Sequence, residues 1–526
     1  MQDKLVRALQ SLVRGPVRAD EHTLTRYSTD QSIYQVHPQV VVHPRDLKDV
    51  VAAVRFAREN GLPITARGAG SGTAGAALGA GLLLAFHARP RDEVAHPMNR
   101  ILAFKEHGRQ SRVTVQPGLL HDDLQAYLRR RGLYLPADPS SGAFCVLGGN
   151  IATKASGPHA LKHGSIDRYL VDLQFVTAEG QLVDTTDPDS IPAPLRDGLS
   201  DLSRDLLADA PSVQRLAARM DRKLASGYNL FAFLRCQSLA DRVAQLIVGS
   251  VGTLGIVTRA TLRAEPYQAG RATTLLYFRS LAEAGDAVQY IRALDVAAIE
   301  IMNYATIAII AQRRGGLDIP PGEAHMLLVE YEGPERHEQI AATEALIREN
   351  GHRMAAPPVT VEGAEEQARL WKVRKAALPT VRNFQGRRAF SIVNDVGVPV
   401  AHLAETIREL ETLFGRLGLP AAIYGHAGSG NLHLRPLFDP HAPDLRAQLA
   451  RVADEVYALI LRHDGTITAE HGMGRLRTPF LAREWGHPIT AYMRRVKQAF
   501  DPDDVLNPDV MFGERSLTDD MKPLRG

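Results

Sequence analysis

The residues of this 526-residue chain best equipped for chemistry are two histidines around a glycine-rich turn, His426 and His433, and an acid followed directly by a third histidine, Glu470-His471. In Tyr424-Gly425-His426-Ala427-Gly428-Ser429-Gly430-Asn431-Leu432-His433, a two-residue hairpin at Ser429-Gly430 pairs Gly428 with Asn431, Ala427 with Leu432 and His426 with His433. Directly opposed positions hold their Cβ atoms about 4.5–5.5 Å apart. Two imidazoles so placed can grip one divalent cation, zinc or manganese, with Glu470 adding a carboxylate oxygen and the open positions left for substrate. Histidines that merely decorate a turn are the plainer alternative, and these residues alone leave it open.

Among the reactions such a site can serve is oxidation of an alcohol to a ketone, in which a hydroxyl proton is removed and hydride leaves the same carbon. A bound cation acidifies a coordinated hydroxyl and disfavours protonation of a nearby imidazole, so His471 is placed to act as the base. Arg374 and Arg435 are candidates for forked contacts to a carboxylate beside that alcohol, with a purely structural arginine as the alternative for each.

The hydride needs an acceptor, and three small-residue tracts suggest an extended one. Arg67-Gly68-Ala69-Gly70-Ser71-Gly72-Thr73 follows a strand, and its close glycines let backbone N–H groups cradle a pyrophosphate. The nicotinamide fingerprint fails here, because the chain runs through Gly79 and Gly81 into Leu82-Leu83-Leu84 instead of opening a helix. The second tract is Pro136-Ala137-Asp138-Pro139-Ser140-Ser141-Gly142 with Gly148-Gly149-Asn150-Ile151-Ala152-Thr153 and Ala155-Ser156-Gly157; the third is Gly249-Ser250-Val251-Gly252-Thr253-Leu254-Gly255.

The elements that must position these groups read as mixed α and β. Val40–Val42, an amphipathic helix over 46–60, Pro63–Ala66 and Gly81–Phe86 make a β-α-β-β unit. Val113–Val115, a helix over 119–131, Leu173–Thr177 and Thr258–Arg263 continue it, interrupted by a helical insertion over about 187–248, until Pro266 marks a boundary. Beyond it, strands Thr274–Phe278, His325–Tyr331 and Ile392–Val398 alternate with helices Ala282–Leu294 and Ala401–Leu417, and a last helix runs from Thr490 to Phe500 before Asp501-Pro502. The expected organisation is an N-terminal segment (1–34), a cofactor domain (35–267), a substrate and metal domain (268–515) and a tail (516–526).

Composition narrows the function. Hydrophobic residues are 45% and charged residues 23%, as in ordinary globular proteins, and a net charge of +3 gives no footprint for nucleic acid. Cys145 and Cys236 are the only cysteines, too few for an all-cysteine iron–sulfur cluster. Neither a signal peptide nor an apolar run of transmembrane length is present, so the expected location is the cytoplasm, with a peripheral position at the inner membrane face as the other option.

The three glycine tracts, the His426–His433 turn, Glu470-His471-Gly472-Met473-Gly474 and Asp501-Pro502 with Leu506-Asn507-Pro508 together resemble the FAD-linked oxidase family of the vanillyl-alcohol oxidase / p-cresol methylhydroxylase (PCMH) superfamily, in the branch of D-lactate dehydrogenase and the glycolate oxidase flavin subunit. The resemblance covers about residues 25 to 515. It implies an α+β protein, a two-subdomain PCMH-type FAD-binding domain followed by an α+β FAD-linked oxidase C-terminal domain. It also implies FAD along Arg67–Thr73, Pro136, Asp138, Ser141, Gly142, Gly148, Gly149, Ala155, Ser156, Gly157, Gly252, Thr253, Gly255, Ile256, Val257 and Asn507, a divalent metal on His426, His433 and Glu470, and His471 as base. Covalently flavinylated relatives carry a histidine where this chain has Ser71, so noncovalent FAD is expected. Val251 and Ser429 stand where the family commonly has Glu and Asp. Ser226-Gly227-Tyr228-Asn229-Leu230 and Trp371-Lys372-Val373-Arg374-Lys375 are similar to a subgroup often fused to an iron–sulfur module, absent here, so the expected partner is a separate iron–sulfur or quinone-linked acceptor; a homodimer is also compatible. Relatives acting on dicarboxylates carry Lys at the position of Val393, so a small monocarboxylate of the lactate or glycolate type is favoured. The competing readings are an oxygen-using oxidase, the non-redox flavin chemistry of the alkyl-ether lipid synthases, and a catalytically silent flavin-binding subunit.

Overall fold

The computed structural model describes residues 2–87, 98–268, 270–314 and 319–523. Local signals set the first layer. Asp46 accepts a hydrogen bond from the Asp49 amide (3.1 Å) and starts the helix Leu47–Glu59, whose buried Val50, Ala53, Val54 and Ala57 share one face. The helix stops before Gly61, which takes a φ of 62°. It links strand Val40–Val42 to Ile64–Arg67, and both pair in parallel with Leu82–Ala85, while Val17–Arg18 adds an antiparallel edge. The strand Ile64–Arg67 therefore ends at the first glycine loop.

An antiparallel sheet of Ile101–Lys105, Arg112–Val115, Ile256–Arg263, Leu170–Val176 and Leu182–Asp184, paired in that order, forms the second subdomain. The insertion predicted over 187–248 is helical, with Ala193–Ala208, Ala210–Ala217, Ala232–Arg235 and Leu239–Ile247. The C-terminal half is a nine-stranded sheet in which Met354–Val361, Arg271–Phe278, His325–Glu332, Ala298–Met302, Ala421–Gly425 and Asn431–Phe438 are successive neighbours. Helix Leu281–Ile291 packs between Arg336–Glu349 and Leu403–Arg416. The protein thus has the two-domain α+β arrangement that the sequence predicts.

One expectation needs correction. Of the strand predicted over Ile392–Val398 only Val396–Gly397 is formed, because Asn394 and Asp395 turn their polar groups into the site described below. The last helix does run to Phe500 after Pro488, as predicted; the non-helical Gly486 (φ 74°) divides it from a preceding helical stretch that starts at Leu481. After it the chain returns to the N-terminal half. Leu506 bridges Ile64, Tyr34 bridges Met521, and the Lys522 ammonium donates to the Asp30 and Ser32 carbonyls (2.9 and 2.7 Å). Of the tail predicted over 516–526, the last three residues lie outside the described ones. Among the described residues no helix is long and apolar enough to cross a membrane.

Candidate active site

A cavity of about 1720 Å³ is lined by all three glycine tracts on one side and by Arg374, Tyr424, His426, His433, Arg435, Glu470 and His471 on the other. That exceeds the roughly 300–1,000 Å³ of an ordinary small-molecule pocket. The cofactor end is shaped by the absence of side chains. A Cβ on Gly68 would stand 2.7 Å from Val146, and one on Gly148 2.6 Å from Pro117, so the loop backbones close directly on their neighbours. At Gly72 nothing lies within 4 Å of where a Cβ would stand, and that position opens into the cavity. Such a cradle of closely approaching backbone fits an extended dinucleotide.

Residues predicted to hold the cofactor divide into those at the cavity and those behind it. Arg67, Gly68, Ala69, Gly70, Ser71, Gly72, Thr73, Ser141, Gly148, Gly149, Ala155, Ser156, Gly252, Gly255, Ile256 and Val257 line it; Pro136, Asp138, Gly142, Gly157, Thr253 and Asn507 do not. The guanidinium of Arg67 donates to the carbonyls of Tyr27 (3.1 Å), Thr29 (2.8 Å) and Ala77 (3.2 Å), organising the loop from beneath. Asn507 is a strut. It donates to Ala76 O (2.8 Å) and Val251 O (2.7 Å) and accepts from Thr65 Oγ1 (3.0 Å), fastening the first and third loops to one strand. Asp138 is bound to His159 Nδ1 at 2.6 Å.

At the other end the histidines meet, but not as the hairpin reading predicts. The register pairs Tyr424 with His433, and five residues including a 3-10 turn over Ala427–Ser429 connect the strands. His426 leaves the ladder because its Nδ1 bonds Glu300 Oε1 at 2.6 Å, a buried carboxylate on strand Ala298–Met302. The rings of His426 and His433 nonetheless lie 5.1 Å apart, nearly perpendicular.

Their hydrogen bonds decide what they present. Nδ1 of His433 donates to the Asn394 carbonyl (2.8 Å) and Nδ1 of His426 to Glu300, so both rings turn Nε2 toward one atom, Glu470 Oε1, at 3.4 and 3.2 Å, and whichever ring is neutral presents a lone pair there. Lone pairs converging on a carboxylate oxygen require a proton or a cation between them, and a divalent cation fits this donor set. Burial lowers the pKa of His433; His426 is raised because Glu300 and Glu470 outweigh its burial. The grouping whose ligand atoms all lie within 4.8 Å of one another is Asp395 with His433, Glu470 and His471. Within it, Asp395 Oδ2 already accepts from the amides of Glu470 (3.0 Å) and His471 (2.8 Å) and from Thr468 Oγ1 (2.6 Å). Burial opposes its charge, but His471 and Arg477 hold the Asp395 carboxyl well below its usual range.

His471 lies beside this group, stacked 5.3 Å from His433, with Nε2 3.6 Å from Glu470 Oε1 and Nδ1 3.6 Å from Asp395 Oδ2. Burial pushes its pKa down to about 4. Arg374 is held by Glu300 (2.5 Å) and keeps Nη2 unpartnered; Arg435 bonds Ser391 (2.5 Å) and keeps Nε unpartnered. Both face a cavity whose lining, among the described residues, contains one carboxylate, Glu470, against Lys375, Arg382 and Arg388 as well.

Sequence reasoning missed Asp395 and three further residues that build this centre. Glu300 is an acid inside an apolar strand, a signal that was available in Ala297–Met302. Lys223, from the helical insertion, reaches Glu470 Oε2 at 2.6 Å, and nothing in its local sequence points there. Asn394 donates to Thr73 Oγ1 (3.0 Å), tying the first glycine loop to the histidine centre. Ser156, read as a cofactor residue, also reaches across to Glu470 Oε2 (3.3 Å).

Cavity, glycine cradle and histidine–carboxylate centre together define a flavin-dependent oxidoreductase. Residues 38–186 match the family model for an FAD binding domain, and residues 268–511 that for the C-terminal domain of FAD linked oxidases. The chain belongs to the FAD-linked oxidase family. It is 30% identical to a probable mitochondrial D-lactate dehydrogenase of Danio rerio over 92% of this chain and 86% of that one, and 27% identical to glycolate oxidase subunit GlcD of Bacillus subtilis over 95% of each. Among solved structures, a 4-ethylphenol oxidase from Gulosibacter chungangensis shares the fold, with a TM-score of 0.67 over 97% of each chain at 17% identity.

Proposed function

We propose that the protein oxidises a small D-2-hydroxy acid, of the lactate or glycolate type, to the 2-oxo acid. The observation that carries this reading is the convergence of the Nε2 atoms of His426 and His433 on Glu470 inside the cavity that the glycine loops line. Bound along those loops, FAD supplies the acceptor for the hydride that leaves C2. A divalent cation on His426, His433 and Glu470 would supply Lewis acidity at the substrate hydroxyl. The unpartnered Arg374 Nη2 and Arg435 Nε are donors for the substrate carboxylate. His471, neutral because it is buried, takes the hydroxyl proton, and the Asp395 carboxylate behind the ring stabilises the resulting imidazolium. Glu300 and Asp395 keep these groups in register from behind. Val393, whose position the dicarboxylate-acting relatives fill with Lys, is fully buried in the core and offers no second charge to the substrate.

Anaerobic titration of the yellow holoprotein with D- and L-2-hydroxy acids, monocarboxylic and dicarboxylic, tests this. Bleaching of the oxidised-flavin band by a D-monocarboxylate is the expected result; no bleaching by any member would sink the reading and favour a silent flavin-binding subunit. Electrons then pass to a separate iron–sulfur or quinone-linked acceptor, since Cys145 and Cys236 cannot hold a four-cysteine cluster. Stoichiometric peroxide formed as fast as dye-coupled turnover would replace that acceptor with oxygen.

A further inference from the structure

On the outer face of the C-terminal domain, away from the cavity, a second set of imidazoles meets carboxylates. His402 caps the N-terminus of helix Leu403–Arg416 and Glu405 lies in its first turn; His463 caps the C-terminus of the neighbouring helix Leu445–Arg462. One ligand atom from each of His402, Glu405 and His463 lies within 4.8 Å of the others. The imidazoles of His402 and His463 are 5.8 Å apart between ring centroids.

Glu409, on the same helix as Glu405, decides how His463 is presented. Its Oε1 takes the proton of His463 Nε2 at 2.9 Å, and its Oε2 is bonded by Arg462 at 2.8 Å, so both its oxygens are committed. With Nε2 donating, His463 Nδ1 carries a bare lone pair, and the carboxylate nearest to it is Glu405 Oε2 at 4.0 Å, too far for a hydrogen bond. A carboxylate that fixes one imidazole nitrogen so that the other points at an acidic oxygen is the outer support typical of a histidine metal ligand.

We propose that His402, Glu405 and His463 bind a divalent cation of the zinc class, with water completing the coordination. Two imidazoles and a carboxylate are borderline donors that zinc accepts. Bonds of about 2.0–2.2 Å place tetrahedral ligands about 3.3 Å apart, and the exposed Glu405 carboxylate can close the remaining gap. The ion staples two helices at a telling place. Gly397 and Thr466 exchange backbone hydrogen bonds at 3.2 and 2.8 Å, and from that bridge one direction leads to Asp395 and to Glu470-His471, the other to His402 and His463. Binding therefore locks the outer ends of the two segments whose inner ends carry the catalytic centre. This site stands independently of the cavity metal.

The test uses FAD-loaded protein carrying His433→Ala, which removes a cavity ligand, stripped with EDTA and titrated with Zn²⁺ while bound zinc and thermal midpoint are followed. Zinc binding and a raised midpoint are expected. Adding His402→Ala should abolish both, and adding Glu409→Gln should weaken zinc roughly 10- to 100-fold while leaving the ligands in place. Equal zinc affinity with and without His402, or no zinc bound by the His433→Ala protein, overturns the proposal. Neither result bears on the cavity metal, whose test reads substrate-driven flavin bleaching with His433 intact.

Discussion

The two ends of the cavity are built from opposite materials. At the cofactor end the work is done by backbone, and what matters is the side chain that is missing: Gly68 and Gly148 let one loop lie against the next. At the catalytic end the work is done by side chains from separate stretches, Glu300, Asp395, His426, His433, Glu470, Lys223 and Arg374, each held by another. A backbone site tolerates chemical change at its rim but not added volume. A side-chain site tolerates small changes of volume but not the loss of one charged or donor group, because its partners are then left buried and unpaired.

That contrast predicts separable failures. The largest concerns the cavity metal: EDTA treatment should abolish substrate-driven bleaching while leaving the FAD spectrum intact, and Zn²⁺ or Mn²⁺ should restore it. His433→Ala should mimic the stripped enzyme and resist rescue, since a site that loses one of three protein ligands seldom keeps its ion. Full activity in demonstrably metal-free protein would leave the histidines as direct hydrogen-bonding partners of the substrate.

Next in size is the base. His471→Asn should slow flavin reduction by roughly 10²- to 10⁴-fold, the usual loss when a general base is removed, with substrate affinity changing less. Near-normal reduction in stopped flow would move the role to another group.

Volume added at the cofactor end should do the reverse. Gly148→Ala drives a Cβ to 2.6 Å from Pro117, a clash of the kind that costs about 1–3 kcal/mol. The flavin-to-protein ratio should fall while turnover per bound flavin is kept. FAD that does bind should leave with the supernatant on acid precipitation, as Ser71 offers no histidyl attachment. Retention of flavin in the pellet would refute the noncovalent reading.

The smallest effect probes the seam between the two ends. Glu332, from the C-terminal sheet, faces Arg271 (3.3 Å) and, across the seam, His163 (3.1 Å) and Lys162 (3.6 Å). Burial opposes its charge, but the hydrogen bond from His163 and the pull of His163, Arg271 and Lys162 hold its carboxyl down to about 2, against an ordinary 4.5. A depressed acid contributes stability that is fully present above the unfolded value and is lost as pH falls through the folded one. The urea midpoint should therefore drop between about pH 4.5 and pH 2, and Glu332→Gln should flatten that part of the profile. An unchanged profile would show that the seam does not depend on this ion pair.

Legibility in the sequence followed the same division. Glycine spacing is local, and a loop that needs closely approaching backbone must announce itself in consecutive residues, so the three tracts could be read directly. His426, His433, Glu470 and His471 were legible as a set because their types are scarce and their spacing suggestive. Their arrangement was not: the predicted opposition of His426 and His433 across a tight hairpin gave way to a longer turn once Glu300 claimed the Nδ1 of His426. Strand Ile392–Val398 failed for a similar reason, as Asn394 and Asp395 serve the site at the expense of the sheet.

By itself, then, the sequence determined the two-domain α+β plan and the glycine-built backbone cradle, which rest on local periodicity and residue type, while its family resemblance pointed to the flavin and to the candidate reactive side chains. Tertiary structure alone decided which lone pair each imidazole presents, that Asp395 fastens the Glu470-His471 amides, and that Lys223 is brought from the helical insertion onto Glu470. Those are outcomes of burial, where each donor and acceptor must find a partner from whichever element packs beside it, and no spacing along the chain encodes that choice.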